Sequence, residues 1–148
     1  MTVFNFTELV NDPLADVVTA ALGVDADNGY VENDIGKGVK LAASNNYVPL
    51  VKDDEIEGVV VGLEPSTVNN GFTWGSVQKN RRITAEVGVS EVGTATVGEL
   101  VVADTPVALG TAGVLKVYPG TPTVHLWRII RIISGTGAAG DSVLIERI

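Results

Sequence analysis

The chain of 148 residues lacks cysteine, and it has one histidine, one methionine and few aromatic residues. The absence of cysteine excludes disulfide bonds and thiolate metal sites. No stretch reaches the roughly 18 consecutive apolar residues that a membrane-spanning helix requires. The N-terminus also lacks the basic and apolar regions of a secretory signal. We therefore expect neither a membrane partner nor a secretory leader.

Positive charge is scarce and unevenly placed. The net charge is −8, and residues 1–36, which we name the acidic segment, contain seven Asp or Glu and no Lys or Arg. Binding to nucleic acid requires clustered cations that neutralise phosphates, so a nucleic-acid partner is not expected. The acidic segment is typical either of a solvated tail or of a segment that docks on a basic protein surface.

The residues that are abundant favour β-structure. Valine, isoleucine and threonine supply 47 of the 148 residues, and glycine supplies 17. β-Branched side chains suit pleated strands, and glycine suits the tight turns between them. Regularly spaced strand patterns after residue 36 predict a mainly β protein, in which residues 37–148 form a compact β-barrel or β-sandwich of about nine short strands.

One helix is predicted in the acidic segment, near residues 13–22. Asp12 suits the N-cap, Pro13 the first helical position and Gly23 the C-terminal stop. The apolar residues of this stretch recur at helical spacing and would form a single stripe. A helix of about ten residues is marginal in water by itself, so we expect its stripe to pack on the body or on a partner.

Three motifs with possible chemistry have simpler structural interpretations. The sequence GTGAAG at residues 135–140 matches a dinucleotide-binding pattern, but the chain ends too soon for the helix that such a site requires. His125 has no G-x-S-x-G motif to support a catalytic triad. The acids of DDEIE, residues 53–57, fall in a predicted turn. We therefore expect no catalytic residue, no cofactor and no metal site.

The stretch HLWRIIRII, residues 125–133, is predicted to be a strand covered on both sides. Strict alternation would place Trp127 and Arg131 on one face and Arg128 on the other. An unpaired buried charge is costly, so both arginines require acidic partners. Glu146 in the last strand is one candidate, and an acid of the acidic segment is another. The two arginines are the predicted place where subunits meet.

The order of strands and turns resembles a known family. The segments that show this are DIGKGVKLAASNNYVPLVKDDEIEGVVVGLE, VGELVVADTPVALGTAGVLKVY and SGTGAAGDSVLIERI, within residues 34–148. They resemble the head decoration, or cement, proteins of tailed bacteriophages. The resemblance implies a structural virion protein on the outer surface of the capsid, made in the host cytoplasm. It also implies a homotrimer that binds the major capsid protein at three-fold and quasi-three-fold positions and stabilises the shell.

The candidate interface combines the acidic segment with the arginine-bearing strand. Its residues are Phe4, Phe6, Leu14, Val17, Val18, Trp127, Arg128 and Arg131. Two alternatives stay open: a tail or baseplate β-module, and a carbohydrate-binding module or enzyme that uses Trp74 and Trp127 with the acids of residues 53–57. If the acidic segment is an anchor, deletion of residues 2–23 should leave the body folded and weaken attachment to the capsid.

Overall fold

A computed structural model describes residues 17–22, 35–43, 46–64, 73–79, 82–105 and 115–148. Within these ranges the chain forms ten strands separated by turns. In chain order they are β1 (Val17–Leu22), β2 (Gly38–Leu41), β3 (Tyr47–Pro49), β4 (Gly58–Leu63), β5 (Thr73–Gln78), β6 (Arg82–Val87), β7 (Leu100–Ala103), β8 (Leu115–Pro119), β9 (Trp127–Ile132) and β10 (Ser142–Arg147). The prediction of a mainly β protein is confirmed. Among the described residues, no helix is long and apolar enough to cross a lipid bilayer.

The strands form two mainly antiparallel sheets of five strands each. The first sheet has the order β1-β3-β2-β4-β5, and the second has the order β10-β6-β8-β7-β9. Within each sheet the pairings run in a cycle, because β1 also pairs with β5 and β10 also pairs with β9. The link between β1 and β3 is a single pair, Leu22 with Tyr47. The strands thus divide between two sheets, and the finer description of the body as a barrel or a sandwich stays a prediction.

The predicted helix near residues 13–22 is a strand over the part that the structure describes. Residues Val17–Leu22 form β1, which pairs antiparallel with β5 over six residues, from Val17 opposite Gln78 to Leu22 opposite Thr73. Val17, Val18 and Thr19 are β-branched and favour extended backbone. Pairing with β5 satisfies the backbone groups of β1, whereas a short isolated helix is marginal. Residues 13–16 lie outside the described residues.

Strand β4 joins the two sheets because both of its faces are buried. Val60 belongs to the core of the first sheet, with Val39, Tyr47 and Val77. Its neighbour Val59 faces the opposite way, as successive residues of a strand do, and belongs to the core of the second sheet. Ile56, just before β4, is fully buried in that same core.

The larger core is built around Trp127 of β9. Trp127 and Ile56 are both 0% exposed, and the indole Nε1 donates a hydrogen bond of 2.8 Å to the backbone carbonyl of Ile56. Two further backbone bonds connect the same segment to β7: Asp53 N donates to Ala103 O, and Ala103 N donates to Asp54 O, each at 2.9 Å. Residues 53–59 are thereby held against the second sheet.

The position of β1 changes the expected effect of truncation. Residues 17–22 belong to the first sheet, so deletion of residues 2–22 should lower the free energy of unfolding by several kcal/mol, at about 1 kcal/mol for each backbone hydrogen bond. Deletion of residues 2–16, which leaves β1 whole, should change it far less. Urea unfolding followed by tryptophan fluorescence measures both. Equal unfolding midpoints for the two truncated proteins would show that β1 does not stabilise the first sheet.

Candidate functional site

A β-bulge in β9 decides where its arginines lie. Arg128 pairs with Glu146 and Ile129 with Ile145, but the next pair joins Arg131 to Leu144, so β9 contains one extra residue, Ile130. An extra residue of this kind reverses the alternation of the strand beyond it. Arg128 and Arg131 therefore share one face of the sheet, and both are exposed. The prediction that they lie on opposite faces is wrong.

The outer face of the second sheet collects three of the five arginines of the chain. Across β6, β10 and β9, the register places Arg82, Glu146 and Arg128 in one row. The next row consists of Thr84, Leu144 and Arg131. We call this surface the arginine face; it comprises Arg82, Thr84, Arg128, Arg131, Leu144 and Glu146.

Glu146 is shared by two of these arginines. Arg82 Nε lies 3.1 Å from Glu146 Oε1, and Arg128 Nη2 lies 3.6 Å from Glu146 Oε2. The hydrogen bond from Arg82 and the nearby positive charges hold the pKa of Glu146 below its ordinary value. Glu146, one of the two candidate partners named for the arginines of this strand, is the partner of Arg128. Both arginine side chains remain exposed, at 65% for Arg82 and 47% for Arg128.

Arg131 has no carboxylate of its own within the described part of the chain. Its cross-strand neighbour is Leu144, and no ion pair or hydrogen bond joins its side chain to another described residue. Three cations and one anion thus share the two rows. In a chain with a net charge of −8, such a surface will attract a negatively charged partner.

The other predicted interface residues are distributed differently. Trp127 is fully buried in its own core, so the structure corrects its assignment to an interface. Val17 and Val18 lie in β1 and pair with β5. Phe4, Phe6 and Leu14 lie outside the described residues. Of the predicted residues, Arg128 and Arg131 are the two that the structure brings together on an exposed face.

The GTGAAG loop between β9 and β10 binds a carboxylate of its own chain. Asp141 Oδ2 accepts hydrogen bonds from Thr136, Gly137 and Ala138 N–H, at 2.8, 3.0 and 3.0 Å. Successive N–H groups of this kind form an anion-binding nest. Because Asp141 occupies the nest, the loop has no free amide cradle for a phosphate, which supports its interpretation as a structural turn.

Three acids of DDEIE, residues 53–57, accept hydrogen bonds from backbone N–H groups, whereas a simple turn would leave them in solvent. Glu55 accepts hydrogen bonds from Thr123, Val124 and His125 N–H and from the Thr123 hydroxyl. These bonds, first that from Thr123 N–H, lower the pKa of Glu55 to about 2. Asp54 accepts a hydrogen bond from Val51 N–H and lies 2.7 Å from Lys40 Nζ. Together with Glu57, Asp54 and Glu55 hold residues 53–57 between the two sheets through hydrogen bonds and ion pairs. Their carboxylates do not line a common pocket.

Glu57 lies in a polar cluster between the two sheets. Burial opposes its ionisation, but hydrogen bonds from Leu41 N–H and Lys79 outweigh this and keep its pKa below the ordinary value. Arg147 Nη1 donates to the backbone carbonyls of Glu57 and Lys79, each at 3.1 Å. Arg147 Nη2 lies 2.9 Å from His125 Nδ1. A guanidinium only donates, so His125 Nδ1 accepts, and the ring has a structural role here.

A shallow groove of about 290 Å³ lies where β4 ends and β5 begins, lined by Gly62, Leu63, Glu64, Trp74, Gly75 and Ser76. Trp74 is 44% exposed, but Trp127 is buried in the core of the other sheet. The acids Asp54 and Glu57 contact β2 and Lys79, and Glu55 contacts the segment before β9, so none of the three lines this groove. The structure therefore does not assemble the two tryptophans and these acids into one site. Among the described residues, no group of three His, Asp or Glu is placed to hold a metal ion.

Sequence reasoning missed the structural carboxylates Glu55 and Asp141. The signal for Asp141 is an acid after a Gly-rich turn, which is common in loops, and Glu55 lies in an acidic run with no such turn beside it. For Asp141 the donor amides are three to five residues away, but for Glu55 they are about 70 residues away. Tertiary structure alone reveals the latter contact.

The Glu55 contact predicts a pH-dependent contribution to stability. Its pKa is about 2 in the folded chain and about 4.5 otherwise, so the unfolded chain binds more protons between these values and stability falls as pH falls. Because water reaches this carboxylate, we expect Glu55→Gln to lower the free energy of unfolding by only about 1 kcal/mol at pH 7. The difference from the parent should disappear near pH 2. Urea unfolding at pH 7 and pH 2.5 measures it.

Glu91→Gln is the matched control for that experiment. Burial, Glu99 and Asp104 raise the pKa of Glu91, so its charge opposes folding at neutral pH and its removal should not reduce stability. If Glu55→Gln and Glu91→Gln had the same effect at pH 7, the hydrogen bonds to Glu55 would not be stabilising.

The chain was compared with protein-family models, with curated proteins and with solved structures. No family model, curated protein or solved structure matches it.

Proposed function

We propose that the protein is a structural virion protein that decorates and stabilises the head of a tailed bacteriophage. In this proposal it binds the outer surface of the major capsid protein as a homotrimer, at three-fold and quasi-three-fold sites. It is made in the host cytoplasm and acts on the virion. The resemblance of residues 34–148 to decoration proteins supports the assignment to phage heads. The observation in the structure that supports a binding role most directly is the arginine face.

The arginine face has the composition of a protein-binding surface. Arginine is enriched at interfaces because its planar guanidinium donates several hydrogen bonds in a fixed geometry and is weakly hydrated. Here Arg82 and Arg128 are oriented by Glu146, and Arg131 lies one row away beside the apolar side chain of Leu144. The pairing of β6, β10 and β9 fixes the backbone spacing of these residues, so binding would cost little backbone conformational entropy.

Several other polar side chains of the described residues stabilise the fold. Glu55, Asp104 and Asp141 each accept at least one backbone N–H, and Arg147 donates to backbone carbonyls. Such groups rigidify a body and are not poised to react. A rigid β-body with one exposed cationic face is suited to adhesion on an acidic protein surface, which is the role of a shell-stabilising protein.

Co-sedimentation with purified phage heads that lack this protein tests the proposal. The full chain should pellet with the heads, and Arg128→Glu/Arg131→Glu should bind at least about tenfold more weakly, because like charges oppose each other across the interface. Lys52→Glu is the control: Lys52 is exposed, lies over the Tyr118 ring and is not part of the two rows of the arginine face. One reversed lysine should leave binding close to that of the parent.

Two outcomes would contradict the proposal. If the full chain does not pellet with heads but binds purified tails, the protein belongs to the tail or baseplate. If charge reversal at Arg128 and Arg131 leaves head binding unchanged, the arginine face is not the docking surface. The mass in solution tests the homotrimer separately, since a monomer at assay concentration would contradict it.

A further inference from the structure

The three arginines of the arginine face differ in how far the protein itself satisfies them. Arg82 Nε donates a hydrogen bond of 3.1 Å to Glu146 Oε1. Arg128 Nη2 lies farther from the same carboxylate, 3.6 Å from Oε2. Within the described part of the chain, no side chain or carbonyl accepts a hydrogen bond from the Arg131 guanidinium. The described residues therefore leave the N–H donors of Arg131 open to a partner.

Aliphatic side chains flank Arg131 on the same side of the sheet. Leu144 lies directly opposite it in the ladder. Ile132, the next residue of β9, packs against the core, so Arg131 and Ile133 both point away from that core. Ile133 N–H donates to the Ser142 carbonyl at 2.8 Å, and its side chain is 43% exposed. A guanidinium and two aliphatic groups thus form one continuous part of this surface.

Glu146 makes the neighbouring row less accessible to a negatively charged group. The hydrogen bond from Arg82 keeps the pKa of Glu146 below its ordinary value, so Glu146 is ionised at neutral pH. A carboxylate that approached Arg82 or Arg128 would meet this charge, and like charges placed together oppose binding. The residue opposite Arg131 is the uncharged Leu144. An incoming carboxylate therefore binds most favourably at Arg131.

We propose that Arg131, together with Leu144 and Ile133, determines which partner the arginine face binds. The partner is an acidic protein surface on which a carboxylate and an aliphatic side chain lie about 7 Å apart, the spacing of alternate residues such as Arg131 and Ile133 along a strand. The carboxylate accepts two N–H groups of the planar guanidinium, and the aliphatic group covers Ile133 and removes apolar surface from water. The identification of this partner as a capsid subunit rests on the proposed function, whereas the chemistry of the contact does not.

Short peptides test the contact by NMR with the full, isotope-labelled chain. The acetylated and amidated tripeptide Leu-Ala-Glu carries both groups, Leu-Ala-Gln lacks the charge, and Ser-Ala-Glu lacks the aliphatic group. We expect Leu-Ala-Glu to shift the Arg131 Nε–H signal and the amide signals of Ile133 and Leu144 in a saturable manner. Leu-Ala-Gln should leave the Arg131 signal unchanged, and Ser-Ala-Glu should bind about threefold more weakly because less apolar area is buried.

Single substitutions rank the residues of the face. Arg131→Gln should abolish the shifts and weaken binding to phage heads about tenfold, as expected for loss of a hydrogen-bonded charged group, whereas Arg82→Gln should retain most of both. Arg131→Lys keeps the charge but not the planar geometry, so its binding should be intermediate. Ile133→Thr should weaken binding of Leu-Ala-Glu but not of Ser-Ala-Glu. Val124→Thr is its matched control, since Val124 is 71% exposed and precedes β9.

Three results would overturn the inference: no saturable shift with Leu-Ala-Glu, equal binding of Leu-Ala-Glu and Leu-Ala-Gln, or equal effects of Arg131→Gln and Arg82→Gln. The outcome is separable from the proposed function. Peptide binding at Arg131 by a chain that does not bind phage heads would overturn the proposed function alone. Head binding that Arg131→Gln weakens no more than Arg82→Gln does would overturn this inference alone.

Discussion

The hydrogen bond from the Trp127 indole to the Ile56 carbonyl is the contact on which the arrangement of the two sheets depends. Both residues are fully buried, and the bond is 2.8 Å long. A buried indole N–H without an acceptor would be costly, so the segment before β4 has to lie against β9. Once it does, Ile56 and Val59 complete the core of the second sheet, and Val60 belongs to the first.

The same segment explains why so many acids of the chain are not available for chemistry. Glu55 lies next to Ile56 and accepts the N–H groups of Thr123, Val124 and His125. Glu57, on the other side, accepts Leu41 N–H and lies 3.3 Å from Lys79. A run of carboxylates that looks like a solvated turn therefore connects the two sheets. Backbone amides and lysines stabilise its negative charges. Among the described residues, three exposed arginines lie on the outer face of the second sheet.

The position of the arginine face shows how a single inserted residue changes a surface. If β9 alternated regularly, without a bulge at Ile130, Arg131 would point into the core that contains Trp127 and Ile129, where an unpaired charge is costly. The bulge turns it outward, next to Leu144 and one row from Arg128. Sequence reasoning identified the strand and named Glu146 as one candidate partner for its arginines. It placed Arg131 on the wrong face, because alternation predicts faces only along an uninterrupted ladder.

The sequence by itself determined the mainly β character of the chain, through its many valines, isoleucines and threonines, and the succession of strands after residue 36. These conclusions depend on local propensity and on spacing, which are visible along the chain. Tertiary structure decided that Val17–Leu22 form a strand, that the strands divide between two sheets, and that three arginines share one face. Each of these depends on a partner far away in sequence: β5 for β1, residue 56 for Trp127, and the register of β10 for the arginines. The free energy of such pairings outweighs local preference, so a helical pattern of apolar residues became a strand and an alternating pattern acquired a bulge.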